Sequence, residues 1–243
     1  MSARPNELPP AGDDRVLALL ASGSIEVIGR IPSSNLCLLV EVSNAHGGEF
    51  AVYKPEAGER ELWDFDAGLY RRERAAYVLS EWLGWGLVPP TVVRTDGPAG
   101  IGSLQRYVDA ADSVHYFTLD PNHPRLGAPL RAMAAFDVVT NNADRKAGHV
   151  LLDPDGRIWG IDHGLCFAAP VKLRTVIWDF AEEPIPDDLL VGLGRLASDA
   201  PAELEDLLEP EELGALQARA RLLARSGHFP ADHTGRRVPW PMV

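Results

Sequence analysis

Within residues 136–167, FDVVTNNADRKAGHVLLDPDGRIWGIDHGLCF, side chains that can handle metal and phosphate are closely spaced. Asp144, Arg145, Lys146 and His149 fall in one polar loop, and Asp162 and His163 follow a short apolar run. Asp153, Pro154, Asp155 and Gly156 separate two such runs, 150–152 and 157–161. This predicts a hairpin, because Pro presets φ and Gly accepts positive φ. A hairpin so placed holds Asp144 and His149 at its mouth and delivers Asp162 at its far end. Carboxylates are hard oxygen ligands for divalent cations, and such cations neutralise phosphate, so the arrangement suits a metal–phosphate site. Either acidic turn alone occurs in many loops, but their joint spacing favours chemistry over local turn formation.

The elements that must position these residues can be read in chain order. Residues 1–14 are rich in Pro, Gly and polar side chains and read as a disordered lead-in, with Asp13 or Asp14 capping a short helix over 16–22. From Ser24 the period becomes strand-like, and runs 25–28 and 36–42 flank the polar turn Ser33-Ser34-Asn35. A further strand over 49–53 ends at Lys54 and is stopped by Pro55. Taken alone, that lysine reads equally well as a solvated strand terminus. An acidic, aromatic loop over 56–68 precedes a helix over 69–83, whose apolar Ala75, Ala76, Leu79 and Leu83 recur near helical spacing. Glu73 lies on that helix among Arg71, Arg72 and Arg74, where a surface i,i+4 pair is the plainer alternative. Gly84 and Gly86 end the helix, residues 88–93 are extended, 96–102 form a turn, and 103–109 form another strand. Loop residues 110–129 lead to a helix over 130–140. Beyond the hairpin, helices are expected over 187–196, 202–208 and 210–226, with Pro201 and Pro210 at helix starts. Residues 177–180 read as packing and a helix cap.

The pair D-R-x-x-x-H and I-D-H-G resembles the catalytic and metal-binding loops of the phosphatidylinositol 3-/4-kinase superfamily, a relative of the protein kinases. In those families the loops read D-x-x-x-x-N and D-F-G or I-D-x-G. The chain looks in particular like a small actinobacterial branch of kinase-like proteins whose substrate is unassigned. The resemblance implies an α+β, two-lobed protein-kinase-like fold: a lead-in over 1–23, a sheet-rich nucleotide-binding N-lobe over 24–108, and a mainly helical C-lobe over 109–243. It implies ATP with Mg²⁺ or Mn²⁺ as cofactors. Lys54 would contact the α- and β-phosphates, and Glu73 would orient Lys54. The turn Ser33-Ser34-Asn35 would cover the phosphates, and Gln105, Arg106, Tyr107 and Val108 would form the adenine-binding hinge. Asp144 would serve the acceptor hydroxyl and Asp162 would be the chief metal ligand. Arg145 would bind a phosphate or pair with an acid, and Lys146 would meet the substrate. His149 stands where the pattern has Asn. It would ligate a metal, or hydrogen-bond Asp144 or Asp162 and leave one metal bound.

The implied activity is a kinase, transferring the γ-phosphate of ATP to a hydroxyl on a protein, lipid or small molecule. Two rival readings keep the fold but change the chemistry: a nucleotide-binding pseudokinase with a regulatory role, and a nucleotidyltransferase that adenylylates its target. A zinc hydrolase built on the histidines has poor support, because neither His115 and His123 nor His228 and His233 carry the spacing of a zinc site. The net charge of −12 argues against non-specific nucleic-acid binding and against capture by anionic lipid. After Asp162, only Lys172 and Arg174 are available as cations for a phosphorylated head group. Across 243 residues, 46% hydrophobic, no run reaches the roughly 20 apolar residues of a membrane span. The isolated Cys37 and Cys166 suit a reducing cytoplasm.

Overall fold

The structure, a computed structural model, describes residues 14–243. Helix α1 (Asp14–Ser22) comes first, followed by β1 (Ser24–Ile31), β2 (Cys37–Asn44) and β3 (Gly47–Pro55). Helix α2 (Leu69–Leu83) then precedes the hairpin of β4 (Thr91–Gly97) and β5 (Gly100–Arg106). The five strands form one antiparallel sheet in the order β1-β2-β3-β5-β4. Alternation along β3 sorts its side chains: Ala51 and Tyr53 are fully buried against α1, while Val52 and Lys54 point to the opposite face. Val16, Leu19 and Leu20 of α1 close the first core with Val40, Val42 and Leu104. The part of the expected lead-in over 14–22 is therefore a packed helix of the sheet layer. The remainder, with the proposed cap Asp13, lies outside the described residues.

The sheet is longer than its hydrophobic pattern suggests. Asn44 pairs with Gly47, so β2 and β3 meet through the two-residue turn Ala45-His46, with Gly47 at φ 140°. The turn expected over 96–102 is present but tighter, at Pro98-Ala99, with the flanking residues in the ends of β4 and β5 and Gly97 paired to Gly100. Gly102 also lets β5 approach β3 closely, since a Cβ there would sit 2.4 Å from the Lys54 carbonyl oxygen. The fifth strand stops at Arg106, and Tyr107 to Asp109 leave the sheet earlier than expected.

The second and larger core surrounds α3 (Gly127–Thr140), whose Leu130, Met133, Phe136 and Val139 are all fully buried. The hairpin of β6 (Val150–Leu152) and β7 (Ile158–Gly160) follows α3, and then α4 (Asp187–Leu196), α5 (Leu204–Leu207) and α6 (Pro210–Ser226). Helix α2 belongs to this core, packing Ala75, Leu79 and Leu83 with residues of α3, α4 and α6. Two of its three arginines are not loose surface charges. Arg72 Nη2 donates to Glu212 Oε1 at 2.6 Å, and Arg74 Nε to Glu203 Oε1 at 2.7 Å. The helix bearing Glu73 is thus tied to the helical part of the molecule. Of residues 177–180, Ile177 and Phe180 pack into this core as expected, but the segment caps no helix; the Tyr116 hydroxyl donates to Asp179 instead. Among the described residues no helix is long and apolar enough to cross a membrane.

Candidate functional site

The cleft-facing side of the sheet and the β6–β7 hairpin enclose a cavity of about 580 Å³. Ser33, Ser34 and Asn35 line it from the β1–β2 loop, and Gln105, Arg106, Tyr107 and Val108 from the end of β5. Lys54, Glu73, Asp144, His149 and Asp162 line it as well. Of the residues expected at a site, Arg145 alone stays out of the cavity wall.

At the centre is a triangle of charges. Lys54 Nζ donates to Glu73 Oε1 at 2.5 Å and to Asp162 Oδ1 at 2.9 Å. Glu73 is held from a second side, because the His163 backbone N–H donates to its Oε2 at 3.1 Å. Burial pushes the Lys54 ammonium down, but Asp162 and Glu73 outweigh it and hold it well above the ordinary lysine range. The same lysine is the main cause that keeps Asp162 far below the usual carboxylate range, so both remain charged. Asp162 adopts φ 62°, a left-handed conformation in which Asp is tolerated better than bulkier side chains.

Asp144 faces the same cavity from the loop after α3. Asn141 ends α3 in a left-handed cap at φ 54°, and its side chain clamps the segment after Asp162, with Nδ2 donating to the carbonyls of Ala168 and Pro170. Asn142 Oδ1 accepts from the Asp144 N–H at 3.0 Å. Lys146 Nζ donates to Asp144 Oδ2 at 2.7 Å. His149 closes a 3₁₀ turn (Ala147–His149) and brings its Nε2 3.3 Å from Asp162 Oδ2.

Arg145 is fully buried and turned inward. Its Nε donates to Asp137 Oδ1 at 3.0 Å, Nη1 donates to the carbonyls of His149 and Ile161, and Nη2 donates to His163 Nε2 at 2.7 Å. Of its two expected roles, phosphate binding and pairing with an acid, the structure shows the second. Asp137 also accepts from Thr175 Oγ1 and Asn142 Nδ2, so the buried charge is fully surrounded by donors. His163 completes the chain of contacts. Burial and the neighbouring Arg145 push its imidazole well below the ordinary histidine range, so it is neutral and its Nε2 accepts. His163 belongs to the I-D-H-G motif, but no motif marks Asp137 or Thr175; the lone acid Asp137 between Phe136 and Val138 on an apolar helix is the one signal that could have found the network.

The end of the cavity expected to receive adenine is apolar. Val52, Leu151 and Ile161 line it, and behind it Val108 packs on Trp159. Trp159 lies between the guanidinium groups of Arg106 and Arg157, 5.0 Å and 3.7 Å from its ring centroid. Gln105 lines the cavity, but its Nε2 is engaged, donating to Thr91 Oγ1 at 2.8 Å. Asn35 Oδ1 accepts from the Arg60 N–H at 3.0 Å and so shapes the covering loop.

Over 92% of its length the chain is 42% identical to protein Rv2133c of Mycobacterium tuberculosis, covering 94% of that protein. The chain belongs to the family of Rv2133c. No family model matches it. A second relative, phosphatidylinositol 4-kinase gamma 4 of rice (Oryza sativa subsp. japonica), is 31% identical over 151 residues. That match covers 53% of this chain and 26% of the rice protein. Among solved structures, the Helicobacter pylori proinflammatory kinase CtkA superposes with a TM-score of 0.52 at 12% identity. The superposition covers 86% of this chain and 94% of CtkA, which establishes a kinase-like α+β fold.

Proposed function

We propose that the chain is an ATP-dependent phosphotransferase of the phosphatidylinositol 3-/4-kinase-like type, moving the γ-phosphate to a hydroxyl acceptor. The observation that carries this reading is the Lys54–Glu73–Asp162 triangle facing Asp144 across one cavity. Phosphoryl transfer needs positioning and charge neutralisation more than covalent chemistry, and these groups provide both. Lys54 would hold the phosphates nearest the sheet, oriented by Glu73. Backbone of the 33–35 loop would cover them, and the end of β5 would receive the adenine. Asp144 would orient the acceptor hydroxyl and take its proton as the bond to phosphorus forms. Lys146 keeps the Asp144 carboxylate beside the cavity. The sheet-rich lobe would divide from the helical lobe near Val108.

Among the described residues no group of three or more His, Cys, Asp or Glu suits a metal. Of the carboxylates that do line the cavity, Asp144 and Asp162 fit Mg²⁺ or Mn²⁺ brought in with a nucleotide, since such ions take one or two carboxylates and complete their shell with phosphate and water. Asp162 would hold the ion, which neutralises phosphate charge when bound. The surroundings are less suited to a polyphosphorylated lipid head group as acceptor. Lys172 Nζ pairs with Asp64 Oδ2 at 3.2 Å, and Arg174 Nε donates to the Ala143 carbonyl at 2.7 Å. A protein or small-molecule hydroxyl in the cytoplasm fits better. Incubation of the chain with ATP labelled on either the α- or the γ-phosphate tests the reading. γ-Label is expected on an acceptor or in released phosphate, lost in Asp144→Asn. Label transferred from the α-phosphate would establish adenylylation instead, and nucleotide binding without any turnover would establish a pseudokinase.

A further inference from the structure

Residues 237–243, RVPWPMV, run along the loops that carry the site, and their carbonyls are what those loops hold. The Arg237 carbonyl accepts from the Thr175 N–H at 3.0 Å and from Trp178 Nε1 at 3.3 Å. The Met242 carbonyl accepts at 2.7 Å from the N–H of Ala147, the residue after Lys146. Pro239 between them is buried, whereas Trp240, Met242 and Val243 are exposed. Val243 nonetheless lines the cavity together with Asp144 and Lys146. The segment is therefore held by its main chain, and beyond Pro239 its side chains pack little.

We infer that residues 237–243 occupy the track on which an extended polypeptide lies when it presents a hydroxyl to Asp144, so that the acceptor is a protein and the segment competes with it. This rests on the phosphotransferase reading. Ala147 is fully buried and Thr175 nearly so, and a buried N–H has to meet an acceptor. An incoming polypeptide brings carbonyls that replace those of Arg237 and Met242, as in the main-chain modes of peptide recognition. An inositol ring has no row of carbonyls to do so. Residues 235–243 contain no Ser, Thr or Tyr, so the resident segment fills the track without being phosphorylated. Its exposed side chains beyond Pro239 let that part lift more readily than the core beneath it.

The test is Val243→Ser in the full chain, incubated with γ-labelled ATP and Mg²⁺. The side chain of residue 243 is 60% exposed, so an unchanged urea melt is expected. The introduced hydroxyl oxygen bonds the γ-phosphorus as the bond to ADP breaks, and its proton passes to Asp144. One phosphate per chain is expected at position 243 by mass spectrometry, at a rate per chain independent of protein concentration, and lost when Asp144→Asn is added. Phosphatidylinositol vesicles and free inositol are offered as acceptors in parallel. Label on either of them, or released as inorganic phosphate, with position 243 unlabelled, would overturn the inference and leave the phosphotransferase reading standing. No movement of γ-label in any arm would overturn both.

Discussion

Replacing Arg145 by Met separates its role in the fold from a role toward phosphate. Arg145 and Asp137 both have no exposed side-chain surface, and their contact runs from Nε to Oδ1 at 3.0 Å and to Oδ2 at 3.2 Å. In the variant, Asp137 keeps only Thr175 Oγ1 and Asn142 Nδ2 as donors, and its charge is no longer neutralised. Breaking a buried pair by removing one partner costs about 3–5 kcal/mol. His163 Nε2 and the Ile161 carbonyl also lose the guanidinium, and each buried orphaned group adds about 1–3 kcal/mol. These terms overlap, so a loss of about 5 kcal/mol is expected, a large share of the stability of an ordinary domain. Urea unfolding followed by tryptophan fluorescence measures it. The double variant Asp137→Asn/Arg145→Met should be more stable than Arg145→Met alone, because it removes the stranded charge. If Arg145→Met lost less than about 1 kcal/mol while nucleotide affinity fell tenfold, Arg145 would be a phosphate ligand and the buried-pair argument would be wrong.

Two further outcomes follow from the same geometry. Gly102→Ala should cost about 1–3 kcal/mol and weaken nucleotide binding, because the new Cβ would meet the Lys54 carbonyl at 2.4 Å and Pro55 Cα at 2.7 Å and push β3 aside. Gly29→Ala, with nothing within 4 Å, is the matched control in urea melts and nucleotide titrations. In metal-free protein, stability should fall as pH drops below about 6.5, because unfolded histidine takes up a proton that buried His163 and His149 refuse. Each contributes at most about 1.4 kcal/mol per pH unit, and Asp162, whose carboxyl is held low, adds its loss only below about pH 4. His163→Asn should flatten the upper slope in urea melts between pH 7 and 5; an unchanged slope would refute the assignment.

Helices α2, α4 and α6 begin and end where the sequence places them, since their signals are short-range: Gly84 in the left-handed cap at φ 71°, Pro210 at the start of α6, and apolar residues at helical spacing. The order Lys54, Glu73, Asp144 and Asp162 is legible for the same reason, because each sits at a fixed offset within its own strand, helix or loop. Residues 96–102 show the limit. Their glycines signal a turn, which forms at Pro98-Ala99, but pairing with β3 and between β4 and β5 draws the flanking residues into the sheet. Arg145 shows another. It stands between Asp144 and Lys146, which both line the cavity, yet it turns the other way, because adjacency in a loop does not set the direction of a side chain.

Tertiary structure alone decided the direction of Arg145, the engagement of Lys172 and Arg174, and the closeness of His149 to Asp162. Each depends on partners that lie far away in sequence or on the local path of a turn. Burial, which sets the cost of an unpaired charge, is a property of the assembled core and not of any local pattern. The sequence by itself therefore determined which chemical groups are present and in what order they come. The packed structure determined which of them face the cavity and which hold it together.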